Sequence, residues 1–272
     1  MAEEKWLVTE PKVLDLSVVH SLKVSLIGGR IDVIGTDEPT ARLEVSGVSG
    51  RELLVKLEGT SLEIDHPQLR WDNFLDVFRS YAGKASATVS LLLPRTATVR
   101  LGVIGADALV SGMRTDVRLN SVSGDLMLDA SEGDVELNSV SGALSVRGHR
   151  GGVSVRTVSG EVAASGDLRS FSCEGVTGDV FIDTAGVPER VETNTVSGRT
   201  TVRLPAGAPA RFTVNTVSGT AQLDDQVFRG LHGRGQNVTS GDLSGLWTDV
   251  RCNSVSGDII VVHSVPSTEG VA

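Results

Sequence analysis

The chain has 272 residues, of which 40% are hydrophobic but only 4% aromatic, so its core must be built from aliphatic side chains. A formal net charge of −9, with no basic tail or stripe along the sequence to offset it, argues against binding nucleic acid by phosphate neutralisation. No window approaches the ~18 uncharged apolar residues of a membrane-spanning helix, so no integral membrane segment is expected.

The opening stretch, MAEEKWLVTEPK, carries acidic residues where a signal peptide needs a basic region, and no apolar run follows it. The expected location is therefore cytoplasmic. Residues 1–60 contain less regular strands, such as SLKVSLIGGRIDVIG at 21–35, and read as an edge or capping region. One segment then breaks the β pattern. RWDNFLDVFRSYAGK, residues 70–84, places Trp71, Phe74, Leu75, Phe78 and Tyr81 on one face of a helix over 71–82. That helix is expected to cap exposed strand edges; the alternative is a docking face for a partner, a second copy or a membrane surface, with these five residues as its surface.

ASATVSLLLPRTATVRLGVIG (85–105) leads into a regular array, so the N-terminal region is bounded at 1–105 and the repeat region at 106–263. Both belong to one continuous domain, followed by a disordered tail at 264–272. In the array, a [VT]-[ST]-G signature places its glycine at Gly124, Gly142, Gly160 and Gly178, a step of 18 residues. The step then varies, through Gly198, Gly219, Gly241 and Gly257. Each unit comprises two short strands. Leu126 and Leu128 alternate with Asp125, Met127 and Asp129, and Val135 and Leu137 flank Glu136, so each strand has one apolar and one polar face. Such a unit cannot bury its apolar face alone, whereas stacked units can. The expected fold is all-β, a β-solenoid of about 18 residues per coil, with a meandering antiparallel sandwich as the alternative. VRLPAGAPARF repeats the strand-Pro-strand form of LLLPRTATVRL, so Pro94 and Pro205 are expected at comparable corners.

Alignment on the signature valine puts Leu119, Leu137, Val155, Cys173, Thr193, Val214 and Cys252 in one column. The two cysteines therefore read as small buried hydrophobes, and they form neither a disulfide framework nor a metal motif. The next column holds Asn120, Asn138, Arg156, Glu174, Asn194, Asn215 and Asn253, suited to amide ladders at the turns. Stacked signature hydroxyls at Ser123, Ser141, Ser159, Thr177, Ser197, Ser218 and Ser256 argue against any one of them being a nucleophile.

The residue after the signature glycine runs Asp125, Ala143, Glu161, Asp179, Arg199, Thr220, Asp242, Asp258. Ala143 and Arg199 interrupt any carboxylate ladder, which excludes a calcium β-roll. Glu132, Asp134 and Glu136 are close in sequence but read as a solvated surface rather than a hydrolytic pair. The basic stretch Arg147, His149, Arg150 and Arg156 reads the same way. The five histidines have no metal-ligand spacing, and no Gly-rich loop precedes a helix. No catalytic residue, metal or cofactor is therefore assigned.

On the motifs NSVSGDLML, NTVSGRTTVRLPAGAPARFTVNTVSG and VSLLLPRTATVRLGVIG, the chain resembles a bacterial β-strand-repeat family, the putative adhesins or toastrack domain, over roughly residues 20–263. The resemblance implies stacked short strands, no enzymatic activity, and an association with envelope-stress systems beside membrane-anchored partners. The function expected is a non-enzymatic scaffold that binds a protein partner or itself. The alternatives are a surface or carbohydrate-binding adhesin and, more weakly, a solenoid polysaccharide hydrolase.

Overall fold

The computed structural model describes residues 3–66 and 85–264. Every regular element among them is a β-strand. The expected helix over 71–82 and the tail beyond residue 264 lie outside the described residues. The chain divides into two compact units, Met1–Arg147 and Gly148–Ala272. The boundary expected near residue 105 falls inside a strand.

Unit 1 begins with β1 (Glu3–Val8), β2 (Lys12–Val18), the long β3 (Ser21–Thr36), β4 (Thr40–Ser49), β5 (Leu53–Glu58) and β6 (Ser61–Asp65). It continues with β7 (Ser86–Pro94), β8 (Thr98–Ser111), β9 (Val117–Ser121), β10 (Leu126–Asp129), β11 (Val135–Ser139) and the first residues of β12 (Leu144–Ser159). The repeats pair in parallel. Val99 of β8 faces Val117 of β9, which faces Val135 of β11, and Ala108 faces Leu126 of β10, which faces Leu144. Each partner lies 18 positions further along, so the sequence period is the spatial period, and antiparallel meandering of the repeats is excluded. Leu119, Leu126, Leu128 and Leu137 are fully buried, as their alternation requires. Each such side chain removed from water contributes about 1.5–3 kcal/mol.

At the N-terminal end the order of stacking departs from the order of sequence. β3 is an inner rung rather than a cap: it pairs in parallel with β8 on one side and with β6 and β7 on the other. Antiparallel strands finish the array, β5 and then β1 beyond β6, and β4 and then β2 beyond β7.

Unit 2 contains β13 (Val162–Thr177), β14 (Val180–Thr184), β15 (Arg190–Thr195), β16 (Thr200–Leu204), β17 (Ala210–Thr216) and β18 (Ala221–Leu223). They are followed by β19 (Gln226–Phe228), β20 (Gln236–Ser240), β21 (Thr248–Ser254) and β22 (Ile259–His263). Here too the sequence order is broken. β15 pairs with β21, which pairs with β17, while β16 pairs with β22, which pairs with β18. The repeat at 248–263 is inserted between the two that precede it in sequence. The outer edges of β17 and β18 are then covered by antiparallel β20 and β19, which leaves no unpaired parallel edge there. His263, at the end of β22, has Nδ1 2.9 Å from Asp224 Oδ2 and Nε2 2.9 Å from the Ala208 carbonyl oxygen, tying the inserted repeat to two turns.

The signature turn is explained by what it bonds. Ser121 Oγ accepts the Gly124 N–H at 2.9 Å, and Ser254 Oγ that of Gly257 at 2.8 Å. The signature hydroxyl donates to the previous rung: Ser141 to the Val122 carbonyl, Thr177 to Val158, Ser256 to Val196 and Ser218 to Val255. The column of asparagines also makes its ladder, with Asn138 Nδ2 donating to Asn120 Oδ1 and Asn253 Nδ2 to Asn194 Oδ1. The aspartate after the glycine caps the neighbouring rung, since Asp125 accepts the Ala143 N–H, Asp179 that of Arg199 and Asp258 that of Thr220. Those carboxylates form no calcium ladder; in the fold they serve the stacking.

Pro94 and Pro205 do mark equivalent corners: each carbonyl accepts the N–H three residues on, from Ala97 and Ala208. Cys173 and Cys252 are buried and reduced, one on each side of Thr193. Burial pushes their thiols up, to about 12 and about 11, so both remain protonated and inert at neutral pH.

Gly178 shows why the signature ends in glycine. Its φ is +127°, and a Cβ there would lie 2.1 Å from the Gly160 carbonyl oxygen. Gly178→Ala is expected to cost about 3 kcal/mol or more, because strain and a backbone clash combine. Urea unfolding measures it, and a loss below 1 kcal/mol would contradict the close-stacked turn.

Candidate functional site

The groups that repeat are occupied by the stacking, so a site must be sought where the pattern is interrupted. In unit 1 one such place is the corner around residues 36–40, where the chain leaves β3 for the antiparallel β4. Two adjoining open depressions lie there. The first, about 290 Å³, is lined by His20, Asp37, Pro39, Pro94, Arg95 and Arg114, among others. The second, about 570 Å³, is lined by Asp15, Leu16, Glu38, Arg42 and Leu92, among others. Thr36 and Glu38 belong to both.

Backbone bonds build this corner rung by rung. Arg95 N–H donates to the Thr36 carbonyl at 3.0 Å, and Arg114 N–H to the Arg95 carbonyl at 2.8 Å. The Arg95 guanidinium then holds Asp37 as a fork, Nε to Oδ1 at 2.7 Å and Nη2 to Oδ2 at 3.3 Å, while Nη1 donates to the Gly112 carbonyl at 3.2 Å. The guanidinium beside it holds the Asp37 carboxyl below the usual carboxylate range. Arg42 pairs with Asp15 at 3.0 Å in the exposed lining of the second depression, and the neighbouring strand faces leave Ile34 and Leu92 exposed. The result is a shallow, charged cleft with an apolar margin, suited to binding.

A second irregular feature is the end of β6. His66 is fully buried, its Nδ1 accepts the Ile27 N–H at 3.2 Å, and its Nε2 has no partner among the described residues. Burial pushes its pKa down to about 4. Its neighbour Asp65 is raised to about 7, mainly by burial and further by Glu63, with Lys23 opposing.

The residues weighed from the sequence fall as follows. Trp71, Phe74, Leu75, Phe78 and Tyr81 lie outside the described residues. Glu136 pairs with Arg118 at 2.7 Å and Glu132 lies 4.0 Å from Arg114, which are surface ion pairs rather than an acid–base couple. Arg150 and Arg156 pair with Asp167 and Glu174, but His149, read as part of the same solvated face, is fully buried. Among the described residues no group of three or more His, Cys, Asp or Glu could hold a metal, and no helix is long and apolar enough to cross a membrane. The Arg95–Asp37 fork was not legible in the sequence, because 58 positions separate its members.

Two expectations follow. Arg95→Met should return the Asp37 pKa upward towards 3.8, read by carboxyl-detected NMR; an unchanged titration would mean that the fork does not form. His66 and Asp65 should also pull stability in opposite directions. The unfolded imidazole protonates near 6.5 and the folded one near 4, so between those values the unfolded chain binds more protons, and acidification destabilises. Asp65 holds its extra proton in the folded chain between about 3.8 and 7, so acidification there stabilises. Urea midpoints at pH 4.5 and 7.5 should therefore diverge more in Asp65→Asn, with the acid side the weaker, and reverse in His66→Gln. Identical slopes in both variants and the parent would refute the assignment.

No curated protein matches the chain. Among solved structures it is similar to a putative lipid binding protein from Parabacteroides distasonis, at 12% identity and a TM-score of 0.49, covering 94% of this chain and 95% of that one. It is also similar to a putative adhesin from Bacteroides fragilis, at 10% identity and a TM-score of 0.48, covering 93% and 97%. A putative adhesin from Parabacteroides distasonis is similar at 12% identity and a TM-score of 0.45, covering 93% and 97%. The family model described as Toastrack DUF4097 matches residues 20–262, so the chain belongs to the Toastrack family.

Proposed function

We propose that this protein is a non-enzymatic binding scaffold, a β-solenoid whose stacked rungs present an irregular corner to a protein partner. One observation carries the reading. The repeated hydroxyls, aspartates and asparagines bond from rung to rung, which leaves recognition to the places where the repeat is interrupted. The cleft around Asp37, Glu38, Arg42 and Arg95 is the clearest of these in unit 1. Its mixed charges and apolar margin suit a polypeptide surface, where aligned charges set orientation and a small apolar area contributes affinity. The partner favoured by the family resemblance is a membrane-anchored component of an envelope-stress system. A surface adhesin is the competing reading, and a polysaccharide hydrolase the weaker one.

Cross-linking in native cells followed by capture of the full chain tests this. A defined protein partner is expected, with recovery falling about tenfold for the charge-reversed pair Glu38→Lys and Arg42→Glu. Partner recovery that ignores both substitutions would remove the cleft from the proposal. Release of cleaved products from a panel of glycans would overturn the non-enzymatic reading, and recovery of the chain mainly at the cell exterior would favour the adhesin.

A further inference from the structure

Unit 1 ends in two strands whose outer edges have no strand partner among the described residues. β1 pairs only with β5, and β2 only with β4. They close different rows of the stack: β1 follows β5 and β6 onto the first half of β3, and β2 follows β4 and β7 onto its second half. These open edges run for six and seven residues. Natural sheets usually keep an unused edge shorter or cover it.

The registers fix which backbone groups face outward, because antiparallel neighbours bond through alternate residues. His66 N–H donates to the Ser25 carbonyl of β3, so the odd-numbered residues of β6 bond to β5. Carried through β5 to β1, the alternation turns the N–H and C=O of Glu3, Lys5 and Leu7 to the open edge. Arg95 N–H donates to the Thr36 carbonyl of β3, and the same count through β7 and β4 leaves Val13 and Asp15 with the open groups of β2. The side chains of Lys5, Leu7, Val13 and Asp15 are also exposed.

We propose that unit 1 forms a two-fold dimer in which β1 of each copy adds antiparallel to β2 of the other. A two-fold axis that exchanges the two rows produces this pairing. Val8 and Lys12 flank one short turn, so the strands meet with Leu7 opposite Val13, Lys5 opposite Asp15 and Trp6 opposite Leu14 of the second copy. The open N–H and C=O groups then coincide, and the two exposed apolar side chains cover one another. Trp6, only half-buried at the end of the stack, gains an apolar neighbour. Charge selects this arrangement over its alternatives. An edge lysine ordinarily deters pairing, but Asp15 complements it. Pairing β1 with its own copy about Lys5, or β2 with its own copy about Asp15, sets like charges face to face. Lys5 has no ion pair among the described residues, since its neighbour across the strand is Lys56, itself held by Glu3 and Glu58. The dimer requires only this chain and stands apart from the protein partner proposed above.

Light scattering and sedimentation of the full chain test this, and a dimer is expected at about 100 μM chain. Val13→Pro removes an N–H that faces the open edge and leaves the bonds to β4 intact, so it should give a monomer that melts like the parent. Lys5→Glu should weaken dimerisation about tenfold, and adding Asp15→Lys should recover most of the loss. Cysteine cross-linking reads the register. An equimolar mixture of Leu7→Cys and Val13→Cys chains should form a disulfide-linked dimer on mild oxidation, and neither chain alone should; Cys173 and Cys252 are buried and do not compete. A parent chain that is monomeric at that concentration, a dimer that survives Val13→Pro, or a mixture that cross-links no better than its components would each overturn the proposal. Should Val13→Pro fail to fold, the cross-link decides. A monomer that still captures its protein partner loses this inference alone, whereas a dimer that captures none loses the partner reading instead.

Discussion

Everything in this fold depends on how closely one rung's turn approaches the next. At Gly178 the preceding carbonyl occupies the space where a side chain would begin, and Gly198 and Gly257 repeat that contact with the rung before them. Only glycine allows the parallel strands on either side of the corner to stay in register. With the backbone that close, the remaining donors and acceptors of the turn find their partners on the neighbouring rung. The buried Ser or Thr three residues before the glycine, the signature hydroxyl and the following aspartate all answer that requirement. The chemistry of the motif is therefore a consequence of its geometry.

Much of this could be read from the residues. The 18-residue step, the alternation of Leu126 and Leu128 with polar neighbours, the shared column of Cys173 and Cys252, and the matched turns at Pro94 and Pro205 each reflect an interaction that recurs, so sequence displays it repeatedly. The order of the rungs could not be read. Residues 21–36 looked like an edge because their signature is degraded, yet β3 lies inside unit 1, and 248–263 looked like the last rung although two earlier strands flank each half of it. Pairing between segments 77 positions apart, such as Ser21 with Thr98, leaves no periodic trace. The same reason hid the cleft: Asp37 meets Arg95 only after folding. The aspartates after the glycines were visible but their role was not, because their partner is a backbone amide, which nearly every residue type supplies.

The exposed signature valines show the limit of what repetition can say about function. Val140, Val158, Val176, Val196, Val217 and Val255 are 44–50% exposed, so the most regular residue in the sequence is half outside the core. Its regularity comes from the turn conformation and from its carbonyl, which receives the next rung's hydroxyl. A regular surface made in this way offers a partner the same weak contact many times. Specific recognition needs the aperiodic groups, and in unit 1 these gather where parallel rungs give way to antiparallel strands.

The inserted repeat has a further consequence for how the chain is made. During synthesis residues 210–223 leave the ribosome before 248–263, but they cannot take their final neighbours until the later segment has arrived to lie between them. Unit 2 therefore cannot be completed by adding rungs in order of translation. The strands made earlier either wait with an open edge or pair provisionally and release one another. The excursion through β19 and β20 covers that edge with antiparallel strands encoded just ahead of the missing rung, so the shield is in hand when the slot has to be filled. Completion of this half of the molecule waits for residues 248–263, and a chain halted before residue 248 would present a half-built edge to its neighbours.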